Sequence, residues 1–124
     1  MKIKVIVKGF KLEGELNSSN TAKIIYESLP IVGVAKRWGD EVYFNIPLHI
    51  EPEKDFARDV VDKGDLGFWP DGDCFCIFFG RTPISDGDKI KPASAVSVFG
   101  KITHNLELLR MVKDGDNIVV ERLD

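Results

Sequence analysis

The stretch IVGVAKRWGDEVYFNI, residues 31–46, decides the fold. Two largely apolar runs flank Gly39-Asp40, and a pair with Gly first suits a two-residue hairpin turn. With that pair as the whole loop, Trp38 pairs with Glu41, Arg37 with Val42, Lys36 with Tyr43 and Ala35 with Phe44, because a fixed turn fixes every partner along the ladder. Val42, Phe44 and Ile46 then share a face with Ala35 and Arg37. The opposite face carries Lys36, Trp38 and Tyr43, aromatic as well as charged. Two uses fit such a face: a wall for a ligand, or a plain cover for a barrel edge, since scattered exposed apolar residues are common.

The neighbouring segments read in the same way. Upstream, Ile3, Val5 and Val7 alternate with Lys2, Lys4, Ile6 and Lys8, the pattern of a half-buried strand, and a bend near Gly9 returns the chain through KLEGEL. NSSN then offers caps for a helix over residues 20–29 with Ala22, Ile25 and Leu29 on one stripe, and Pro30 stops it. Downstream, DLGFWP and CFCIFF are strands around a Pro-Asp-Gly-Asp turn, with an extended piece at RDVVDKGD before them. AVSVFGKI is one more strand, Asn105 is placed to cap a short helix over residues 105–112, and NIVVERL is the last strand. The expected architecture is a mainly β, closed antiparallel barrel of eight strands with two short helices, in one domain over residues 1–124, because strands follow one another by turns rather than by helices. The expected core is Ile3, Val5, Val7, Val42, Phe44, Phe75, Ile77, Phe79, Val96, Val98, Val119 and Leu123.

Composition narrows the function. The net charge of −3 gives no basic field for phosphate backbones, so nucleic acid is not an expected partner. The charged, alternating N-terminus is not a signal peptide, and no apolar run approaches a membrane span, so a cytoplasmic protein without a membrane partner is expected. A charged fraction of 30% leans towards a hot-growing source. Cys74 and Cys76, two apart on one strand, share a face without reaching bonding geometry and are read as reduced thiols. Cys-x-Cys without a second pair, two distant His (His49 and His104) and the Asp-Gly-Asp turns at 71–73 and 86–88 lack a metal-ligand pattern, so no metal is expected. No phosphate loop, dinucleotide fingerprint or Gly-x-Ser-x-Gly elbow occurs, so no cofactor is expected.

Order and spacing resemble a known family. VFGKITHNLELLRMVKDGD, residues 98–116, resembles the cyclophilin segment where a strand runs into a short helix before the last strand. WGDEVYF, GFWP, FFGRTP and PASAV are similar, over nearly the full length, to segments of the small cyclophilin-like proteins of archaea and thermophilic bacteria. The resemblance implies the cyclophilin barrel but not its prolyl isomerase chemistry. Aligned on Pro47, Phe44 stands where isomerases carry Arg. Aligned on Thr82, Cys74 and Cys76 stand for their Gln and Phe, and Val96 for a groove His. The sequence therefore points first to a binding module whose groove, lined by Trp38, Tyr43, Trp69 and Arg81, holds a peptide or small, acidic ligand. The other reading is a divergent isomerase that draws its donor from Arg37, Arg58 or Arg81. Arg81 itself is expected either to capture an anion from a stiff loop or to pair with Asp71, Asp73 or Asp86.

Overall fold

The computed structural model describes residues 1–123. Ten strands and two short helices follow one another: β1 (Lys2–Val7), β2 (Phe10–Leu16), α1 (Asn20–Glu27), β3 (Ile31–Val34), β4 (Lys36–Arg37), β5 (Glu41–Asn45), β6 (Ala57–Arg58), β7 (Asp65–Trp69), β8 (Cys74–Phe78), β9 (Val96–Ile102), a 3₁₀ helix (Leu106–Met111) and β10 (Asn117–Arg122). Every pairing is antiparallel, in the order β3-β10-β1-β2-β9-β7-β8-β5-β4, with β6 alongside β9.

The expected closed eight-stranded barrel is thus corrected to a nearly closed one, with nine strands in the hydrogen-bonded path and an unsealed seam. The reason lies in residues 31–37. This run is divided at Ala35, whose N–H donates to the Asp116 carbonyl (2.8 Å) and whose carbonyl accepts from Gly115 (2.9 Å). Its first half therefore follows β10 and its second half follows β5, so the two ends of the path are joined by the chain rather than by a ladder. Gly33 sits where the seam narrows: a Cβ there would come 2.6 Å from the Phe44 ring, so only hydrogen leaves room for that ring.

The hairpin register at Gly39-Asp40 is as the turn predicts for the three pairs nearest the turn, whereas the expected pairing of Ala35 with Phe44 is corrected: the ladder stops at Lys36, because the Ala35 backbone bonds to Gly115 and Asp116 instead. Lys36 pairs with Tyr43 and Arg37 with Val42, and Trp38 and Glu41 exchange backbone hydrogen bonds of 3.0 and 3.2 Å. Gly39 has φ +60°, the conformation that favours Gly in that turn. Ser19 caps α1, accepting from the Ala22 N–H at 3.0 Å. Glu53 adds a second anchor at the same end, its Oε2 accepting from the Asn20 N–H at 3.0 Å and its Oε1 from the Thr21 N–H and hydroxyl.

Inside the barrel, Ile3, Val5, Val7, Leu12, Val42, Phe44, Leu66, Phe68, Phe75, Ile77, Phe79 and Phe99 form one cluster, joined by Ala22 and Ile25 of α1 and Leu109 of the 3₁₀ helix. A second, smaller cluster lies on the outer face of β8, where Cys74, Cys76 and Phe78 pack with Val61, Ile90 and Val96. Two phases of the expected core are corrected. In β10 it is Ile118 and Val120 that are buried, while Val119 and Leu123 are half-buried. In β9 a bulge opposite Leu66-Gly67 turns Phe99 inward, leaving Val98 half-buried on the outer side. Asn105 also departs from expectation: it takes a left-handed φ of 61° and makes no side-chain cap bond. The extended piece expected at RDVVDKGD reduces to Arg58 at the end of β6, a bridge between Val61 and Ile90, and Asp65 at the start of β7.

Candidate functional site

The outer face of the hairpin becomes one wall of a pocket. Alternation along β5 points Glu41 and Tyr43 away from Val42 and Phe44, and the ladder sets Tyr43 opposite Cys76 of β8. Trp38 stands across the turn from Glu41, and Trp69 ends β7 opposite Cys74. The far wall is Pro92 and Ala93 of the long β8–β9 connection, with Val96 at the start of β9. Together these eight side chains line a pocket of ≈ 280 Å³.

Hydrogen bonds hold the far wall in place. The Thr82 hydroxyl donates to the Lys91 carbonyl at 2.5 Å, and Ser85 Oγ accepts from the N–H groups of Thr82 and Lys91 at 2.9 and 3.2 Å. The Trp69 indole N–H donates to Ser94 Oγ at 2.6 Å, and the Ser94 hydroxyl donates in turn to Asp71. One Trp69 orientation is therefore fixed, and what it offers a ligand is ring surface rather than a donor.

Glu41 carries the unusual electrostatics. It is 6% exposed, and burial pushes its carboxyl up to about 7, countered in part by a hydrogen bond with Cys76. Burial also pushes the Cys76 thiol well up, with the charge of Glu41 adding to it, and raises Cys74 in the same way. Both thiols are therefore protonated and sterically covered, the environment of an inert cysteine. Both are free. Ellman's reagent at pH 8 is expected to leave the native protein unlabelled on the timescale that labels a small thiol, and to report two thiols after denaturation. Rapid native labelling, or a loss of two hydrogens in the intact mass, would contradict that assignment.

Of the residues singled out in the sequence, Trp38, Tyr43 and Trp69 meet in the pocket and Arg81 does not line it. The Arg81 guanidinium donates to the Ser85 carbonyl at 3.2 Å, its own carbonyl accepts from the Asp40 N–H at 2.8 Å, and among the described residues it makes no ion pair with Asp71, Asp73 or Asp86. Glu41 was not singled out, although the register that pairs it with Trp38 already puts it on the same face. Pro92, Ala93 and Val96 belong to the site through a long connection that no local pattern assigns to it. Among the described residues no three His, Cys, Asp or Glu side chains converge as a metal site requires. His49 instead lies against Asp73 at 2.7 Å and Glu51 at 3.6 Å, with its pKa raised mainly by the Asp73 hydrogen bond. No helix among the described residues is long and apolar enough to cross a membrane.

The chain belongs to the cyclophilin-like family, whose model matches residues 1–121. It is 43% identical to a hypothetical protein of Archaeoglobus fulgidus solved in solution, over 98% of this chain and 94% of that one, with a TM-score of 0.81. McbB, solved in complex with tryptophan, shares the fold at a TM-score of 0.75 and 13% identity, over 98% of this chain and 44% of McbB. No curated protein matches the chain.

Proposed function

We propose that this chain is a binding module whose outer pocket holds a small, flat, largely apolar ligand. The observation that carries the reading is the convergence of Trp38, Tyr43 and Trp69 on one pocket beside a single buried carboxyl, Glu41. Aromatic walls with few polar groups are the usual composition of small-molecule sites, and ≈ 280 Å³ suits one ring system better than an extended peptide. An acidic ligand finds no support here, because Arg81 lies outside the lining and Glu41 repels an anion.

The isomerase reading lacks a donor. Arg37 donates to the carbonyls of Gly39, Arg110 and Val112, Arg58 to those of Asp55 and Ala57, and Arg81 to that of Ser85, and none of the three lines the pocket. Activity on an Ala-Pro peptide that is lost on replacing one of these arginines would reverse the choice.

The binding reading is tested by titrating the protein with indole and naphthalene while following Trp fluorescence. Saturable quenching is expected, weakened about tenfold in Trp69→Ala, since one aromatic wall contributes roughly 0.5–1.5 kcal/mol beyond its buried area. A linear, unsaturable response in the parent protein would remove the pocket as a binding site.

A further inference from the structure

Charge and hydrogen-bond capacity around the pocket specify its occupant further. Among the eight lining residues the only carboxyl is Glu41, and no Lys, Arg or His is present. Glu41 makes no ion pair among the described residues, although it is nearly buried. A buried carboxylate without a cation is costly, and the cost is relieved by a partner that brings a positive charge into the site. The aromatic lining favours the same kind of guest, because ring faces attract cations. The Trp69 N–H is already engaged by Ser94, so that residue presents ring rather than a donor for an anion.

The other titratable and charged groups near Glu41 do not reverse this. From β8 come the Cys76 and Cys74 thiols, both raised and neutral. From β5 comes the Tyr43 phenol, raised first by burial and then by negative charge that, at the alkaline pH where a phenol titrates, includes Cys74, Glu41 and Asp114; across pH 6–8 the phenol is neutral. Asp73 in the β7–β8 turn adds negative potential at Cys74. Lys36, opposite Tyr43 on β4, is exposed, outside the lining, and acts on Cys74 rather than on Glu41.

We infer that the pocket takes a flat ring bearing a protonated nitrogen, with the ring between Trp38, Tyr43 and Trp69 and the ammonium against the Glu41 carboxylate. This rests on the binding reading above and adds the chemical class of the ligand. It also fixes a proton balance. When the ammonium enters a pocket whose carboxyl is protonated, the Glu41 proton leaves to solvent and the ion pair remains. A carboxyl held near neutrality then gives affinity that rises with pH across that range, by about tenfold between pH 6 and pH 8. An alkylammonium stays charged throughout, since such groups titrate near ~10.

The test uses three probes of one shape on the full chain: 2-phenylethylamine, 2-phenylethanol and phenylacetate, titrated at pH 6, 7 and 8 by Trp fluorescence and calorimetry. At pH 8 the amine is expected to bind at least tenfold more tightly than the alcohol, with phenylacetate weakest. At pH 6 amine affinity is expected to fall about tenfold, with close to one proton released per amine bound, read from buffers of different ionisation enthalpy. Glu41→Gln should abolish the preference for the amine; if that variant does not fold, the pH series on the parent protein decides. Equal or tighter binding of the alcohol or of phenylacetate would overturn the cationic ligand while leaving the pocket standing. Saturable quenching by none of the three would overturn the pocket reading itself, and the inference with it.

Discussion

Phe75→Ala is expected to lower the stability of the protein by about 4–5 kcal/mol, the upper part of the range for removing a buried aromatic side chain. Phe75 is fully buried at the middle of the barrel. Its ring stacks on Phe44 with centroids 4.9 Å apart and meets Phe99 edge-on at 5.0 Å. Alanine therefore loses the transfer of the ring, leaves a cavity, and deprives two other rings of a partner, each pair being worth roughly 0.5–1.5 kcal/mol beyond area. Relaxation into the cavity is limited because β8 is paired on both sides, with β5 and β7. Against a typical domain stability of roughly 5–15 kcal/mol the variant should remain folded at room temperature but melt well below the parent, by about 15 °C. Urea denaturation measures the difference directly. A loss under about 2 kcal/mol would mean that the three-ring contact is not a centre of the core.

Much of this was legible in the sequence, for a physical reason that also marks where legibility ends. Alternation reads correctly wherever a strand is straight and its turn is fixed by chemistry. CFCIFF gives Phe75, Ile77 and Phe79 to the inner core and Cys74, Cys76 and Phe78 to the outer cluster, as its period of two requires. Gly39-Asp40 gives the register that sets Trp38, Tyr43 and Glu41 on one face. Alternation misleads at irregularities. The bulge in β9 breaks its phase between Val98 and Phe99, and NIVVERL carries apolar residues on both faces, so the choice between Ile118-Val120 and Val119 falls to pairing with β1 and β3. The division of residues 31–37 at Ala35 is invisible locally because it is imposed by Gly115 and Asp116, far along the chain. The site shows the same limit. Its aromatic wall is local to two hairpins, whereas Pro92 and Ala93 reach it through a connection held by Thr82, Ser85 and Ser94. The contribution of Glu41 lies in its burial, and burial is a property of the folded surroundings rather than of the residue type.

The burial of Glu41 predicts a pH dependence of stability with a defined sign. Its carboxyl titrates at about 7 in the folded protein against 4.5 when free of structure. Between those values the folded state keeps a proton that the unfolded state has released, so stability falls as pH rises from about 4.5 to about 7 and then levels off. A separation of that size corresponds to about 3 kcal/mol, lost mostly between pH 5 and pH 7. Other groups titrate as well: Asp65 is raised by burial and works in the same direction, while Glu53 is held low by Thr21 and Asn20 against its own desolvation and works in the opposite one. These are common to the parent and to Glu41→Gln, so the difference between the two proteins isolates Glu41. Gln keeps the shape of the protonated acid without its titration. The two proteins should therefore be close in stability at pH 4.5, and the variant should be more stable by about 3 kcal/mol at pH 8. Urea denaturation of both proteins at half-unit pH intervals provides the check. Parallel stability curves would show that Glu41 titrates alike in the folded and unfolded chains, and the pocket would then hold no stored cost for a cationic ligand to relieve.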